Sequence, residues 1–336
     1  MSALFSIAWR SAWNRRFTLA LTLLSIALST FLLLGVERIR TELRQNFSSS
    51  VSGTDLIVGA RTGSTQLLLY SVFRIGAATN NVSWKSVQAL SAHKGVDWVV
   101  PLSLGDSHRG FAVLATTPDY FKHFRYGNRQ ALLLQEGQPF DALFDAVVGA
   151  EVAAQLGYAV GQKITLAHGS GLGNGELNAS EHADKPFTVV GVLARTGTPV
   201  DRTVHIGLQA MEAIHLDWIG GAPMPGVKIP AEQVRKFDLT PKNVTAALVG
   251  LKNRAAVFAV QRWVSTYPDE PLMAILPGVA LDELWRVVGV GESALLLMSA
   301  LVALVSLAGL VAVVLAGLNE RRRELAVLRA VGASLR

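Results

Sequence analysis

The chain has 336 residues, half of them hydrophobic, with no cysteine and a formal net charge of +6. Without cysteine, a disulfide-stapled fold is excluded. The basic excess lies at the two ends: residues 1–16 hold three arginines and no acid, and residues 320–336 hold five arginines and two glutamates. The part between them is balanced, which argues against a nucleic-acid-binding face.

Residues 1–16 predict an amphipathic helix on the cytoplasmic side of a membrane. Apolar residues, with Trp9 and Trp13 among them, recur at helical spacing, and Arg10, Arg15 and Arg16 follow on the other side. Such a helix lies among lipid headgroups with its tryptophans at the interface. The alternative is an unstructured tail whose arginines only orient the chain.

Residues 17–37 predict a first transmembrane helix. Residues 17–36 carry no ionisable side chain, and about 20 apolar residues suffice to cross a bilayer. A cleaved signal peptide is the alternative, but its apolar core is usually about 7–15 residues and a small-residue cleavage site follows. Here Glu37, Arg38 and Arg40 follow instead. Residues 38–286 are therefore expected to form a domain on the outer side, beginning with a helical extension over 37–45.

The outer domain has two strand-helix-strand patterns. A helix start is predicted at Ser83 and another at Asn253, since both side chains suit an N-cap. Together the two patterns predict a split ferredoxin-like α+β sandwich. The predicted strands are 55–60, 96–102, 244–251 and 271–276, and the predicted helices are 83–93 and 253–267.

Residues 104–243 between these patterns predict an inserted β-rich module. The predicted strands are 111–115, 146–148, 163–167, 187–193 and 203–206, and the predicted helices are 150–156 and 208–215. The glycine-rich residues 168–176 are predicted to be a hairpin connection. A phosphate loop is excluded because the spacing is not G-x-G-x-x-G and no helix pattern follows.

Residues 287–318 predict a second transmembrane helix, since residues 293–319 contain no ionisable side chain. Gly289 and Gly291 mark a possible flexing point before it. Residues 319–336 predict a short charged helix that cannot enter lipid. Arginines at both flanks place both chain ends in the cytoplasm by the positive-inside rule.

These residues carry a resemblance to a known family. The segment ERRRELAVLRAVGAS, residues 320–334, resembles the signature after the second span of FtsX-like and MacB-like permeases of ABC transport systems. Residues 147–166 and 187–197 are similar to the recurring pattern of their extracytoplasmic core domain. Members of this family have four spans, so we expect this sequence, which ends at Arg336 after two, to be a fragment lacking two further transmembrane helices.

The resemblance implies that residues 319–336 form a coupling helix that docks on a separate cytoplasmic ABC ATPase. Helical spacing agrees, because Leu325, Leu328 and Val331, with Gly332, fall on one face. The alternative is that the arginines only anchor the chain to anionic lipid. The predicted coupling residues are Glu320, Arg321, Arg322, Arg323, Glu324, Leu325, Leu328, Arg329 and Gly332.

In the second span, Ala308, Ala312 and Ala316 form a small-residue stripe. Such a stripe lets another helix approach closely, as in a dimer with a second copy or a related permease chain. The alternative is that alanine is simply common in membrane helices.

The sequence predicts no covalent chemistry, cofactor or metal site. It has no G-x-x-x-x-G-K-[ST] loop, no G-x-S-x-G elbow and no cysteine nucleophile, so ATP must be hydrolysed by another chain. No pair of histidines has H-x-x-x-H spacing. The histidines are His93, His108, His123, His168, His182, His205 and His215. Met211 and Trp218 are candidates for a substrate or partner surface, with ordinary core residues as the alternative.

The function predicted is that of a non-catalytic permease subunit in the cytoplasmic (inner) membrane. It would transmit movement from the ATPase to the periplasmic domain, for export or release of a lipoprotein, peptide or small amphiphile. One alternative is an FtsX-like signalling permease that regulates a periplasmic partner. Another, from a different class, is a two-span receptor with a periplasmic sensing domain.

Overall fold

The computed structural model describes residues 9, 13, 16–169, 182–219, 222–224 and 226–332. The chain divides into a helical unit, Met1–Arg44 with Arg286–Arg336, and an outer unit, Gln45–Trp285. Most of the helix predicted over residues 1–16 and most of the loop predicted over 168–176 lie outside the described residues. Trp9 and Trp13 are described, and their rings stack with centroids 6.3 Å apart.

The helices are numbered in chain order. A π-helical turn, Leu69–Phe73, continues the second of them. Their bounds are α1 (Arg16–Ser49), α2 (Ser64–Leu68), α3 (Trp84–Ser91), α4 (Asp119–His123), α5 (Ala150–Leu156), α6 (Leu208–Ile214), α7 (Val257–Ser265) and α8 (Pro277–Ala330).

The strands are numbered in the same way. Most of the strands join one mixed sheet, and the others form separate two-stranded sheets. Their bounds are β1 (Leu56–Ala60), β2 (Val82–Ser83), β3 (Val96–His108), β4 (Phe111–Thr116), β5 (Arg125–Tyr126), β6 (Gln130–Ala131), β7 (Leu134–Gly137), β8 (Asp145–Val148), β9 (Lys163–Ile164), β10 (Ala167–His168), β11 (Phe187–Leu193), β12 (Thr203–Gly207), β13 (Trp218–Ile219), β14 (Ala222–Pro223), β15 (Asn243–Val244), β16 (Ala246–Leu251) and β17 (Leu272–Ile275).

The two predicted strand-helix-strand patterns interlock as the ferredoxin-like prediction requires. They are β1, α3, β3 and β16, α7, β17, and their strands lie in the order β17-β1-β16-β3 with every neighbouring pair antiparallel. Each pattern therefore has a strand of the other between its own two. The predicted α+β fold is confirmed.

The predicted helix starts also form. The Ser83 side chain accepts a hydrogen bond from the backbone amide of Ser86. The Asn253 side chain accepts one from the amide of Ala255, in a 3-10 turn, Arg254–Ala256, that leads into α7. Each satisfies an amide that the first helical turn leaves without a partner. Two features between the first predicted strand and Ser83 were not predicted: α2 and the π-helical turn after it.

Residues of the predicted insert belong to the same sheet as the flanking patterns. The sheet continues from β3 through β4, β12, β8 and β11 to β7, and the pairs β12–β4 and β11–β8 are parallel. The strand predicted over 163–167 is instead two short strands: β9 pairs with β11, and β10 pairs with the far end of β3. That second pairing positions the site described below.

The sheet is covered on both faces, so neighbouring residues of one strand enter opposite cores. Val113 and Ala115 of β4 pack in one core with residues of α3, α5, α6 and α7, whereas Leu114 packs in the other with residues of α2 and α4. This follows from the two-residue period of a strand. It explains why the strands read as continuous apolar runs rather than alternating ones.

In the helical unit, α1 and α8 contact each other through serines. The Oγ atom of Ser306 lies 2.9 Å from that of Ser29 and 3.2 Å from that of Ser25. Among the described residues, one helical stretch is long and apolar enough to cross a membrane, Pro277–Ala312, in which an 18-residue window reaches a mean hydropathy of 2.6. The first span, predicted over 17–37, lies within α1 and remains a prediction.

Candidate functional site

The sequence-predicted coupling residues lie at the end of α8, which continues from the apolar stretch without a break. The helix is also continuous through Gly289 and Gly291, where a flexing point was considered. It ends at Ala330, and Gly332 then takes a left-handed conformation with φ of +94°. Glycine readily adopts this conformation at a helix end.

Three of the predicted coupling side chains, those of Arg322, Arg323 and Arg329, are described, and all three are exposed. Val327, between them, is 63% exposed. The side chains of Glu320, Arg321, Glu324, Leu325 and Leu328 lie outside the described residues, so the predicted apolar face remains a prediction.

The predicted small-residue stripe is not the face of α8 that contacts α1. Ala308 and Ala312 are exposed, whereas Ser299 of the same helix is buried and Ser306 reaches α1. The side chain of Ala316 lies outside the described residues. Ser299 and Ser306 could have indicated the contact with α1 from the sequence alone, because polar residues in apolar spans often join neighbouring helices.

A second candidate site lies in the outer unit, where strand pairing brings a carboxylate and an imidazole together. Asp106 of β3 and His168 of β10 are directly opposed partners in an antiparallel pair. The pairing is extended by a hydrogen bond from the Gly169 amide to the Gly105 carbonyl. Opposed residues in such a pair have neighbouring side chains on one face of the sheet.

Two further histidines reach this point from other segments. The amide of His182 donates to the carbonyl of Leu166, just before β10, at 2.8 Å. His215 follows the last residue of α6, and its Nδ1 atom lies 2.8 Å from the carbonyl oxygen of Met211 in the same helix. Elements distant in sequence therefore converge on Asp106.

The four side chains form one compact cluster. His168 Nδ1 lies 3.2 Å from Asp106 Oδ1 and 3.1 Å from His215 Nε2, and His215 Nε2 lies 3.5 Å from Asp106 Oδ1. One nitrogen or oxygen atom from each of the four residues falls within 4.8 Å of the others. Asp106 and His182 are buried, and His168 and His215 are partly exposed.

Burial and the neighbouring charges decide the protonation of the cluster. Burial favours the neutral acid at Asp106, but the imidazoles of His168 and His215 outweigh it and hold its pKa below the usual value. Burial lowers the pKa of His182 to about 4. At His215 burial acts in the same direction, but the Asp106 carboxylate outweighs it and raises the pKa.

Trp218 and a buried ion pair support the cluster. The Trp218 ring lies 4.3 Å from the His182 ring and 5.5 Å from the His168 ring, between centroids. Lys185 is fully buried, and its Nζ atom donates to Asp217 Oδ1 at 2.8 Å. Trp218 therefore packs against two of the histidines, and Met211 is a buried core residue.

The histidines have no short-range spacing pattern in the sequence, and for this reason no metal site was predicted. The fold brings His168, His182 and His215 together through β10 and α6, whereas His93, His123 and His205 lie elsewhere in the outer unit. The His93 ring packs at a tilt against Trp263, His123 stacks on Trp98, and His205 packs against Tyr120.

An outer α+β sheet domain and a long apolar helix that ends in exposed arginines fit a membrane protein with an extracytoplasmic domain, and the family matches imply that class. A family model described as the MacB-like periplasmic core domain matches residues 19–267. A second, the FtsX-like permease C-terminal, matches residues 296–336. The chain therefore belongs to the family of MacB-like and FtsX-like ABC transporter permeases, which typically are non-catalytic subunits that work with a cytoplasmic ATPase.

Two solved structures are similar. The periplasmic region of MacB from Actinobacillus actinomycetemcomitans is 9% identical with a TM-score of 0.41, and the alignment covers 70% of this chain and 94% of that one. The extracellular domain of the noncanonic ABC-type transporter YknZ from Gram-positive bacteria is 11% identical with a TM-score of 0.33, covering 66% and 99%. Among curated proteins, no sequence matches.

Proposed function

We propose that this chain transmits ATP-driven movement from a separate cytoplasmic ATPase to its own extracytoplasmic domain. The observation that carries the proposal is the course of α8, one helix from Pro277 to Ala330. It begins next to β17 of the outer sheet, includes the apolar stretch and ends with the arginine-rich segment. A continuous helix moves as a unit, so displacement of one end is transmitted to the other.

The orientation proposed has both chain ends in the cytoplasm. It has spans over 17–37 and 287–318, with the outer domain over 38–286 on the periplasmic side. The support is the charge distribution, because the arginine excess lies at the two flanks and the intervening residues are balanced. In this orientation residues 319–336 face the ATPase, and the helix of residues 1–16 lies against the membrane lipids.

The proposed docking element is the coupling segment at the end of α8. Its described arginines and Val327 are exposed, so this surface is not used within the described part of the chain. The exposed Ala308 and Ala312, with Ala316, are the proposed contact with a second copy or a related permease chain.

The cargo proposed is a lipoprotein, a peptide or a small amphiphile that the outer domain handles at the membrane surface. A periplasmic partner regulated by the movement is the competing outcome. Cross-linking of the assembled complex in its native membrane distinguishes the two: a trapped lipoprotein or peptide indicates export or release, and a trapped periplasmic enzyme indicates regulation.

The coupling assignment is tested by charge substitution on the predicted apolar face. In full-length chain co-expressed with its ATPase, Leu325→Asp with Leu328→Asp is expected to reduce ATPase co-purification at least tenfold, which corresponds to about 1.4 kcal/mol of binding free energy. Val327→Asp is the matched control: at about 100° of rotation per residue it lies on a different face, and it introduces the same type of charge.

Membrane fractionation must show normal insertion of both variants. Equal ATPase retention by the double variant and the wild type contradicts docking through this face. Equal loss in the Val327→Asp control indicates that added negative charge, rather than the apolar face, disturbs the contact.

A further inference from the structure

We propose that Asp106, His168, His182 and His215 form a binding site for a divalent transition-metal ion, and that Zn²⁺ is the ion that this donor set fits. The site lies in the outer unit, at the junction of β3, β10, the segment before β11 and the end of α6. It is separate from the coupling segment, and the inference does not depend on the transported cargo.

The spacing of three of the four donor atoms matches that of a tetrahedral metal site, and all four lie within 4.8 Å of one another. Zn²⁺ binds imidazole nitrogen and carboxylate oxygen at about 2.0–2.2 Å, which places the ligand atoms of a tetrahedron about 3.4 Å apart. The three measured distances among His168 Nδ1, His215 Nε2 and Asp106 Oδ1 are 3.1, 3.2 and 3.5 Å. These three atoms therefore form one face of such a tetrahedron, and His182 supplies the fourth ligand.

Polar atoms in this cluster lack the hydrogen bonds that a metal-free core requires. Both ring nitrogens of His182 and both carboxylate oxygens of Asp106 are buried without a well-formed side-chain hydrogen bond within the described residues. His182 is 0% exposed and Asp106 is 3% exposed. Buried polar groups are almost always paired, because leaving one unpaired costs about 1–3 kcal/mol. A metal ion would satisfy the carboxylate and one nitrogen of His182 together.

His108, two residues from Asp106 on β3, provides an internal comparison. Its Nδ1 atom lies 2.6 Å from the carbonyl oxygen of Thr165, and its Nε2 atom lies 2.8 Å from the hydroxyl oxygen of Tyr158. Protein groups thus satisfy this histidine at both nitrogens. The region can pair a buried imidazole fully, whereas the His182 nitrogens have no such partner and one of them lies within 4.8 Å of the other potential ligand atoms.

A neighbouring carbonyl group and a buried ion pair support the ligand side chains. The Nδ1–H group of His215 is positioned to donate to the Met211 carbonyl at 2.8 Å. This fixes the tautomer that leaves Nε2 free for a metal, the usual arrangement of metal-binding histidines. The Lys185–Asp217 ion pair joins the segments that carry His182 and His215. Both ligands are therefore held in place without the ion.

The donor set selects the class of ion. Three imidazoles and one carboxylate suit Zn²⁺, Cu²⁺ or Ni²⁺, whereas Ca²⁺ and Mg²⁺ prefer oxygen ligands alone. Four protein ligands leave no open position, which is typical of a structural or regulatory zinc site rather than a catalytic one. The His168 side chain is 36% exposed and that of His215 is 25% exposed, so ions can reach the site from solvent.

The test uses full-length chain in detergent or nanodiscs, purified with a histidine-free affinity tag and stripped with a chelator. Titration with Zn²⁺ against a competing chelator, with metal content measured by mass spectrometry, is expected to give about one ion per chain. The variants Asp106→Asn, His182→Gln and His215→Gln are each expected to weaken binding at least tenfold. The matched control is His123→Gln, whose ring stacks on Trp98 away from the cluster, and it is expected to bind Zn²⁺ as the wild type does.

A second measurement does not depend on the variants folding. Co²⁺ added to the stripped wild type is expected to give the intense visible absorption of a tetrahedral nitrogen and oxygen site. It is also expected to quench the fluorescence of Trp218, so Trp218→Phe should remove most of the Co²⁺-dependent quenching. Failure of the wild type to retain Zn²⁺ near one equivalent, or ligand variants that bind like His123→Gln, would overturn the proposal. So would Co²⁺ spectra of an octahedral, water-bound ion.

Discussion

The outer unit and the helical unit place similar apolar side chains in opposite surroundings. Leu114, Val147 and Ile206 of the outer sheet are 0% exposed, whereas Leu24, Phe31 and Leu304 of α1 and α8 are 64%, 75% and 64% exposed. The outer unit buries its apolar residues in its own two cores. The helical unit leaves them on its surface, where a bilayer or further helices must cover them.

The two units are therefore stabilised by different interactions. In water, burial of a leucine contributes by removing apolar surface from solvent. In a membrane, lipid is as apolar as the helix surface, so packing and polar contacts between helices decide instead. The same type of substitution should therefore change stability by very different amounts in the two units.

The largest difference is expected for a matched pair of leucine truncations. Leu114→Ala removes a fully buried side chain of β4 and is expected to lower the free energy of unfolding of the outer domain by about 2–5 kcal/mol. Leu304→Ala in α8 removes an exposed one and is expected to change stability by less than about 0.5 kcal/mol. Denaturant unfolding of the full-length chain, followed by tryptophan fluorescence, measures both. Equal effects would mean that Leu304 is packed as tightly as Leu114.

A second comparison, within the outer unit, uses two glycines that each lie immediately before a helix. Gly149 precedes α5 and Gly207 precedes α6. A Cβ atom at Gly149 would lie 2.3 Å from the backbone oxygen of Val200, whereas one at Gly207 would meet only Phe140, at 4.0 Å. Backbone cannot move aside cheaply, so Gly149→Ala is expected to cost about 1–3 kcal/mol.

Gly207→Ala is the control for this glycine. It carries the same loss of N-cap preference, about 0.5–1 kcal/mol, without the steric conflict. Thermal unfolding of both variants separates the two contributions, and similar losses would contradict the close packing of Gly149 against the turn before β12.

Acid should weaken the outer unit and leave the apolar runs 17–36 and 293–319 unaffected, because these runs contain no ionisable side chain. Burial, with help from the Arg74 charge, lowers the pKa of His205 to about 3. The unfolded chain binds a proton at the usual histidine pKa of about 6.5, whereas the folded domain does not. This contribution is therefore present above about pH 6.5 and is lost as the pH falls toward 3.

At pH 5.5 the expected loss from His205 is about 1.4 kcal/mol relative to pH 8, since one pKa unit corresponds to about that free energy. His205→Gln removes the titrating group and should be less sensitive to acid by this amount. Denaturant unfolding of wild type and variant at the two pH values measures the difference. A variant with the acid sensitivity of the wild type would show that His205 is protonated in the folded domain.

The sequence predicted the parts of the fold that depend on neighbouring residues. Ser83 and Asn253 cap helices because an N-cap needs only its own side chain and the next turn. The strands at 187–193 and 203–206 were recognised from apolar runs between turn residues. The likeness of residues 320–334 to the family signature was also readable, since that signature is a continuous segment.

Features that depend on pairing between distant segments were not predictable. Residues 163–167 were predicted as one strand, but β9 and β10 pair with different partners. No local pattern in the sequence shows which strand each of them pairs with. The cluster around Asp106 was missed for the same reason. His168 becomes its neighbour only through the β3–β10 register, and His215 only through the position of α6, so a search for short ligand spacings cannot find them.

The weakest effect, and the most direct test of the helical unit, concerns the serine contact between α1 and α8. A hydrogen bond between membrane helices contributes about 0.6 kcal/mol on average, too little to resolve by unfolding. The chain has no cysteine, so introduced pairs can be cross-linked without background. Since Ser29 Oγ lies 2.9 Å from Ser306 Oγ, Ser29→Cys with Ser306→Cys is expected to form a disulfide readily.

Leu28→Cys with Ser306→Cys is the matched control, because Leu28 is adjacent in sequence but 66% exposed. Non-reducing electrophoresis should show a band of monomer mass with altered mobility for the first pair and none for the second. A dimer-sized product in place of the monomer band would show that the serines join two copies. The exposed surface of α8 would then not be the dimer contact, and the small-residue stripe at Ala308 and Ala312 would be left to face lipid.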